Sequence, residues 1–495
     1  MHSVRPVVLA GETGAGTGPP MTAAPASLLQ GGDGSDHAEL HERPISHPRG
    51  RISRSLPRNG TDGPLLPPAC WKAFLCSSRP PLPERILVQP DDPLLVLDPT
   101  GSDAHAEHRA LHARGPATLV DLLGVQAWSV SDPTLLRQLL VGKDVSKDAR
   151  AHWPDFATVA PTWPLALWVS VENMFTAYGG DHRRLRRMIS PAFSARPIGA
   201  LAPAVEALVT RLLDDIAASG DDVVDLREKL ALPLPIMVVA QLMGVPEDQS
   251  AGFRRLVDGV FTTTLSRDEA TANAASLYRL LDELIARKRV APAEDLTSFL
   301  IAVRDKEGDD RGLSDAELRD TLLLMISAGY ETTGNAIDQA VTLLLTHPDQ
   351  LAHVRQGRAG WNDVVEEALR LEPAVKHLPL RYAVDDVPLP DGRVIPKGAP
   401  VLASYAAANR HPSWHRDPDE FLVTRTDKDH LAFGHGVHFC LGAPLARLEV
   451  ATALDMLFER FPDMALAVPV EELRPVPSLI SNGHEQLPVR LYGAA

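Results

Sequence analysis

Cysteine is scarce in this chain of 495 residues, which contains only Cys70, Cys76 and Cys440. With so few thiols, one of them far from the other two, the sequence favours a reducing compartment. Long apolar runs are also missing, because no segment reaches the roughly 18 residues of a membrane span. The nearest candidate, residues 230–245, is interrupted by two prolines and a glutamine.

Positive charge is in deficit as well. The chain has 49 Lys and Arg against 64 Asp and Glu, a net charge of −15, which disfavours nucleic acids and anionic membranes as main partners. The apolar run at residues 7–10 is too short for a secretory signal. These features predict a soluble, acidic protein of the cytoplasm, with neither nucleic acid nor membrane as a partner.

Two regions differ in composition. Residues 1–85 are crowded with Gly and Pro and lack periodicity, which predicts a disordered extension. Within them, GETGAGTG imitates a phosphate loop, but no Lys-Ser/Thr follows and Pro19-Pro20 stands where the helix should begin, so we exclude a nucleotide site. Residues 86–495 have the patterning of a globular domain.

Helical periodicity dominates the second region, with two clusters of strand signals. The segments PATLVDLL and VQAWSV, on either side of Gly124, predict a hairpin, and residues 387–405 predict further strands. The fold is therefore expected to be mainly α with a minor, segregated β region. The predicted amphipathic helices lie at 199–218, 270–290, 314–346, 362–371 and 441–461.

The stretch FGHGVHFCLG, residues 433–442, places Cys440 directly before a helical pattern. Free N–H groups and the positive end of the helix dipole stabilise a thiolate there, and glycines allow a tight loop around the sulfur. Such a thiolate suits a haem iron. Two alternatives are a buried structural cysteine and a zinc site formed with His430, His435 and His438.

The pattern F-G-x-G-x-H-x-C-x-G resembles the cysteine loop of the cytochrome P450 family. The resemblance implies the P450 fold and one haem b with Cys440 as its iron ligand. It also implies that Phe433 packs against the sulfur and that His438 binds a haem propionate, in a loop shaped by Gly434 and Gly442.

Three further segments match the family in order. The run HRRLRRMISPAF places His182 and Arg186 on one helical face, and Arg381 follows later in the chain. The resemblance implies that all three bind the haem propionates, which need cations to offset their desolvation. The two arginines are the stronger candidates, because arginine stays charged at any relevant pH.

The helix predicted at 314–346 has a small, polar middle, which suits either a packing notch for another helix or a groove. By resemblance it is the oxygen-binding groove, with Ala328 and Gly329 over the haem. Glu331 and Thr332 are then the catalytic acid–alcohol pair that delivers protons.

Glu367 and Arg370 lie three residues apart in VVEEALRLEP. A pair at this spacing is usually a weak surface ion pair. The resemblance implies instead a buried structural pair, with Arg425 or Arg416 as a second arginine for Glu367.

Together these residues predict a haem-thiolate monooxygenase that inserts one atom of O2 into a small, largely apolar organic substrate. The chain has no dinucleotide-binding fingerprint, so electrons are expected from a separate ferredoxin and ferredoxin reductase. The alternatives are a haem-thiolate isomerase, dehydratase or peroxide-using enzyme and, more remotely, a zinc-binding protein without enzymatic activity.

Two surfaces remain to be assigned. Arg183, Arg184 and Arg187 form a basic cluster that suits either an acidic ferredoxin or solvent alone. Substrate contacts are expected by resemblance at Val375, Lys376, His377, Leu378, around Trp163–Trp168 and along Met325–Thr333.

Overall fold

The computed structural model describes residues 94–261 and 267–493; the predicted extension, residues 1–85, lies outside them. The helices are α1 Ala104–Ala113, α2 Pro133–Val141, α3 Ala149–His152, α4 Phe156–Val159, α5 Leu167–Ser170, α6 Gly179–Ile189, α7 Ala195–Gly199, α8 Ala202–Ala218, α9 Pro233–Met243, α10 Glu247–Phe261, α11 Arg267–Val290, α12 Leu296–Ala302, α13 Asp315–Thr346, α14 Pro348–Arg355, α15 Trp361–Leu371, α16 Tyr405–Asn409 and α17 Ala443–Arg460. The strands are β1 Leu95–Val96, β2 Ala117–Leu122, β3 Val125–Val130, β4 Val145–Ser146, β5 Val223–Asp225, β6 His377–Ala383, β7 Val387–Pro388, β8 Val394–Ile395, β9 Pro400–Ser404, β10 Ala465–Leu466 and β11 Pro488–Arg490.

The central element is α13, a helix of 32 residues. Its start is fixed by a capping box, in which Glu317 N donates to Ser314 Oγ at 3.2 Å and Ser314 N donates to Glu317 Oε2 at 2.9 Å. Helices α9, α15 and α17 pack around it. Because α13 is enclosed over most of its second half, it needs no polar face there.

The predicted helices are all present, with ends that match or are shifted by at most three residues, and the mainly α fold is confirmed. The shifts have local causes. For example, Pro203 lies in the first turn of α8, which begins at Ala202, where a missing N–H costs no hydrogen bond.

The strands form three sheets. The largest has the order β1-β2-β3-β9-β6-β4, and its antiparallel β2–β3 pair is the predicted hairpin. The predicted cluster at 387–405 divides between two sheets, since β7 and β8 pair with each other whereas β9 joins the large sheet. The third sheet is β10-β11-β5.

The pairing of β6 with β9 shifts register between Leu378 and Arg381. Such a bulge changes the face on which the following side chains lie. The bulge therefore changes the face of β6 on which Arg381 lies relative to Leu378.

Among the residues described, none of the helices is by itself both long and apolar enough to cross a membrane. Two consecutive segments, Gly179–Gly199 and Ala202–Ala218, would together be long and apolar enough, but the chain bends by 69° between them.

Candidate functional site

A cavity of about 280 Å³ separates the middle of α13 from the loop that carries Cys440. Its walls are mostly aliphatic and aromatic, with a few polar groups. The residues that line the cavity include Lys147, Trp168, Met174, Phe175, Phe193, Met325, Ser327, Ala328, Gly329, Thr332, Thr333, Val375, Leu378, Arg381, Phe433, Gly434, His438, Phe439, Cys440, Gly442 and Glu449.

Cys440 lies three residues before α17, and its side chain faces the cavity. Burial raises the pKa of its thiol, whereas the N–H groups of Gly442 and Ala443 and the charge of Arg186 lower it. The backbone N–H of Cys440 donates to Phe433 O at 2.8 Å, which closes the loop. The predicted position at a helix N-terminus is therefore confirmed, with amide groups directed at the sulfur.

Two glycines make this loop possible. Gly434 and Gly436 have φ values of 70° and 69°, a region that side chains rarely tolerate. A Cβ atom on Gly436 would lie 2.3 Å from the carbonyl oxygen of Leu140. Glycine at position 436 therefore lets the loop rest directly on the end of α2.

Of the predicted propionate-binding residues, His438 and Arg381 line one end of the cavity, whereas His182 and Arg186 do not line it and instead contact His438 and Phe439 in its wall. The rings of His182 and His438 lie 4.0 Å apart, centroid to centroid, and Arg186 Nη2 donates to Phe439 O at 2.7 Å. Burial and the charges of Arg186 and Arg183 lower the pKa of His182 to about 4. Burial also holds the pKa of His438 far below its ordinary value. Both imidazoles are thus neutral at pH 7, and the arginine supplies the charge.

Arg381 reaches the same cavity because of the bulge in β6. In a regular strand, Leu378 and Arg381 would lie on opposite faces, but both line the cavity. The Nη1 atom of Arg381 is buried without a hydrogen-bond partner, and so is Nε2 of His182. Buried polar groups normally have partners, which indicates a polar ligand at this end.

The distal wall is the polar middle of α13. Met325, Ser327, Ala328, Gly329, Thr332 and Thr333 all line the cavity. Thr332 Oγ1 donates to Ala328 O at 2.6 Å, which leaves its acceptor lone pairs free. The hydroxyl therefore faces the space between α13 and the cysteine loop, as predicted.

Glu331 is placed differently from Thr332. It is half-buried on the flank of α13 and does not line the cavity. A carboxylate there reaches the groove only through a bridging group such as water.

Glu367 and Arg370 form the expected buried pair, both fully inaccessible. Arg370 Nε and Nη2 donate to the two carboxylate oxygens of Glu367 at 2.8 and 2.9 Å. Of the two candidates for a second arginine, Arg425 donates to Glu367 at 3.1 Å, whereas Arg416 is 95% exposed. The pair fixes the segment that leads to the cysteine loop.

Half of the expected substrate contacts in residues 375–378 are wrong. Val375 and Leu378 line the cavity, but Lys376 and His377 do not. His377 is held on the opposite side, where Nε2 contacts Glu107 at 2.8 Å and Nδ1 contacts Ser404 Oγ at 3.0 Å. Lys376, just before β6, lies close to the same Glu107, whose charge acts on its ammonium group.

The aromatic wall is also only partly as predicted. Trp168 lines the cavity, but Trp163 is core, with Nε1 donating to Leu122 O at 3.2 Å. Residues not identified from the sequence include Phe175, Phe193 and Lys147. No spacing signal marks them, because Lys147 and Phe175 lie outside the helices and strands and Phe193 ends a short 3₁₀ helix.

Glu449, also not identified from the sequence, lies on α17 and lines the cavity at 2% exposure. Its Oε2 atom is buried without a partner, and burial raises the pKa of the carboxyl well above its ordinary value. Burial therefore favours the protonated form of this carboxyl group.

The basic cluster is mostly neutralised, contrary to its expected availability. Arg184 pairs with Glu317, and Arg187 pairs with Asp305 and with Glu307. Only Arg183 of the three is exposed and unpaired with any residue that the structure describes.

The zinc alternative finds no support. Within residues 94–261 and 267–493, no group of three or more His, Cys, Asp or Glu side chains is placed to hold a metal ion. His430 Nε2 contacts Glu366 at 3.2 Å instead, and His438 packs on His182.

The residues present fit a haem. A thiol sits on one wall and a helix with small side chains on the other; at one end lie cations that form no ion pair with any carboxylate among the residues described. Haem has an axial position for a thiolate, an apolar macrocycle and two carboxylates, which match these three features.

Comparison with known proteins agrees with this fit. A family model described as Cytochrome P450 matches residues 269–357 and 361–466. The chain is 42% identical to the 2-hydroxy-5-methyl-1-naphthoate 7-hydroxylase of Streptomyces carzinostaticus, over 81% of this chain and 98% of the relative. It is 36% identical to the 6-deoxyerythronolide B hydroxylase of Saccharopolyspora erythraea, over 81% of this chain and 99% of that protein. The solved structure of CYP154A1 from Streptomyces coelicolor A3(2) superposes with a TM-score of 0.74 at 68% identity, covering 80% of this chain and 100% of that one.

Proposed function

Since the chain belongs to the cytochrome P450 family, we propose that the residues around the cavity act in the roles given below. The protein is a haem-thiolate monooxygenase that acts on small organic substrates. Its haem b, when bound, activates O2 and supplies the oxidising chemistry. The observation that carries the assignment is Cys440, held in an amide-lined loop opposite the small-residue segment of α13.

The haem-holding residues divide by the part of the haem they bind. Cys440 binds the iron, and Phe433, Gly434 and Gly442 shape its loop. Arg186, Arg381, His182 and His438 bind the propionates. Ala328 and Gly329 leave space above the macrocycle.

Thr332 and Glu331 handle protons on the distal side. The Thr332 hydroxyl gives its own proton to Ala328 O, so its lone pairs accept a hydrogen bond from a water in the groove. Glu331, on the flank of α13, resupplies protons to that water from outside the cavity. Thr332 therefore positions the water, and Glu331 supplies the protons.

Electrons come from redox partners, and we identify the immediate donor as a ferredoxin reduced by a ferredoxin reductase in the cytoplasm. The docking surface combines Arg183 with Val141 and Val437, which are 57% and 56% exposed. Val437 belongs to the cysteine loop, and α2, which ends at Val141, packs against it. Val437 lies three residues before the thiol ligand, and His182, the neighbour of Arg183, packs on His438 of the same loop.

A charge-reversal experiment tests that surface. Arg183→Glu should slow ferredoxin-supported reduction several-fold at low salt and less at high salt, because screening weakens steering. Arg474→Glu makes the same change in net charge on the exposed C-terminal segment and serves as the control. Equal rates for the two variants would remove Arg183 from the docking surface.

The substrate is proposed to be largely apolar and to contain an aromatic or macrocyclic portion. Trp168, Phe175 and Phe193 line the cavity together with Met174 and Met325, and such walls suit flat or flexible apolar molecules. Relatives named as hydroxylases of 2-hydroxy-5-methyl-1-naphthoate and of 6-deoxyerythronolide B support this range.

The test of the assignment is spectroscopic. The reduced, carbon-monoxide-bound protein should show the red-shifted absorption band of thiolate-ligated haem, and Cys440→Ala should lose it. Oxygen incorporation from labelled O2 with ferredoxin and NAD(P)H distinguishes the monooxygenase from an isomerase, dehydratase or peroxide-using enzyme. A spectrum of imidazole-ligated haem would refute Cys440 as the ligand.

A further inference from the structure

The ring of Phe433, at the start of the cysteine loop, is contacted by three side chains. The guanidinium carbon of Arg447 lies 4.6 Å from the centroid of the ring, within the range of a cation–π interaction. The rings of His430 and Phe439 lie 5.8 and 6.2 Å from it, centroid to centroid. Because Phe433 O accepts the hydrogen bond from Cys440 N at 2.8 Å, a shift of Phe433 would disturb the contact that closes the loop.

Glu366, on α15, holds two of these three neighbours. Arg447 Nε and Nη2 donate to its two carboxylate oxygens at 2.5 and 2.8 Å, a bidentate geometry that fixes the plane of the guanidinium. His430 Nε2 contacts the same carboxylate at 3.2 Å. One carboxylate on α15 therefore keeps a cation on the Phe433 ring.

Arg447 also acts on the sulfur through its charge. The hydrogen bonds to Glu366 raise the pKa of Arg447, and the negative charge of a Cys440 thiolate raises it further. The interaction is reciprocal, since the guanidinium favours the thiolate over the thiol. The geometry thus places a permanent positive charge on the ring next to the cysteine loop and within electrostatic reach of the sulfur.

We propose that Arg447 is a positioning residue of the cysteine loop, held by Glu366, that keeps the Phe433 ring in place and a positive charge near the thiolate. The inference rests on the proposed haem-thiolate function. Its consequence is a raised reduction potential of the bound haem, because a nearby cation stabilises the state that carries one more electron.

Two simpler roles for Arg447 predict different results. Its side chain is 34% exposed, so one alternative is a surface ion pair that only ties α15 to α17. Loss of such a pair would lower the melting temperature slightly and leave the potential unchanged. The other alternative is a docking contact for an acidic electron donor, which would change ferredoxin-supported reduction but not a potential measured without ferredoxin.

The test is a spectroelectrochemical titration of the holoenzyme with small-molecule mediators and no ferredoxin. In Arg447→Met, the ratio of reduced to oxidised haem at a fixed potential should fall about threefold, a shift of about −28 mV at 59 mV per tenfold change. Arg447→Lys keeps the charge but loses the planar fork, so its shift should be smaller. Arg460→Met is the control, since Arg460 lies at the end of the same helix and is 51% exposed.

Glu366→Met separates positioning from net charge alone. If only the sum of charges near the sulfur mattered, removal of this carboxylate would raise the potential. If Glu366 holds Arg447 on the ring, the guanidinium moves into water without it, and the potential should fall as in Arg447→Met. A rise in Glu366→Met therefore contradicts the positioning role.

A fall in potential in both variants, with Arg460→Met at the wild-type value, supports the proposal. If Arg447→Met keeps the wild-type potential, the role of Arg447 is refuted, while the thiolate-haem band still supports the proposed function. If the wild-type protein lacks that band, the proposed function fails, and this inference fails with it. Arg447→Gln takes the place of Arg447→Met if the latter does not fold, with the same expected fall.

Discussion

Arg186 donates a hydrogen bond of 2.7 Å to the carbonyl oxygen of Phe439, the residue that precedes Cys440. The same guanidinium lowers the pKa of the Cys440 thiol through its charge. Arg186 on α6 therefore holds the cysteine loop by a hydrogen bond and also favours the thiolate through its charge. This link joins two segments that are 253 residues apart in sequence.

Replacing Arg186 should loosen the cofactor. Arg186→Ala removes a charged hydrogen bond and a propionate partner, so we expect roughly tenfold faster haem loss to apomyoglobin. Arg183→Ala, an exposed arginine on the same helix, should not change that rate. Equal haem loss from the two variants would contradict the role of Arg186.

Thr332→Ala should uncouple oxygen consumption from product formation. The variant keeps the haem cavity but loses the hydroxyl that positions a water, so product per NAD(P)H should fall roughly tenfold while hydrogen peroxide rises. Ser327→Ala removes a hydroxyl from the same cavity wall and is the control. If Thr332→Ala gives as much product per NAD(P)H as the wild type, Thr332 has only a structural role in α13.

Glu331→Gln should give a different defect. The amide cannot resupply protons, but Thr332 still positions the water, so overall turnover should slow with less diversion to peroxide than in Thr332→Ala. The rate and the peroxide yield are measured together with the same ferredoxin system. Peroxide yields as high as those of Thr332→Ala would show that Glu331 also positions the water.

Glu367→Gln should destabilise the fold by about 3–5 kcal/mol, because it leaves the buried Arg370 guanidinium without its counter-charge. Chemical unfolding of the holoenzyme measures the loss. Glu366→Gln is the adjacent control, and its carboxylate, at 28% side-chain exposure, pairs with Arg447. The loss there should be smaller, since water screens that pair.

Glu449 should make stability depend on pH. Its folded pKa is raised, so the folded state holds a proton that the unfolded state releases above its ordinary pKa of about 4.3. Stability contributed by the neutral acid is therefore present below that value and is lost as pH rises toward the folded pKa, by up to about 1.4 kcal/mol per pH unit. Glu449→Gln should unfold with less dependence on pH between 5.5 and 8, measured with denaturant. Glu459→Gln, exposed on the same helix, should behave as the wild type.

The sequence predicts best where local chemistry decides. The bounds of α13 followed from a Ser-x-x-Glu capping box and a proline, and the structure places its ends within one residue of them. The cysteine loop could be predicted equally well, because glycines at positions of positive φ and the start of a helix both depend on local sequence.

Prediction fails where partners come from distant segments. Arg187 was assigned to an open basic surface, but it binds Asp305, 118 residues away. Lys147 gave no signal, since a single lysine in an irregular segment has no periodicity to indicate its burial. His377 was assigned to the wrong side because the orientation of β6 depends on its pairing with β9 and on the bulge.

The bulge in β6 separates two sets of cavity-lining residues along the chain. Upstream of it, Val375 and Leu378 face the substrate space, and downstream of it, Arg381 faces the end of the cavity that holds the cations. Variation at the upstream positions therefore leaves the register of the arginine unchanged. A family of enzymes built on this strand can diversify its substrates by point substitution while the cofactor stays anchored, whereas a one-residue deletion at the bulge would turn Arg381 away from the cavity.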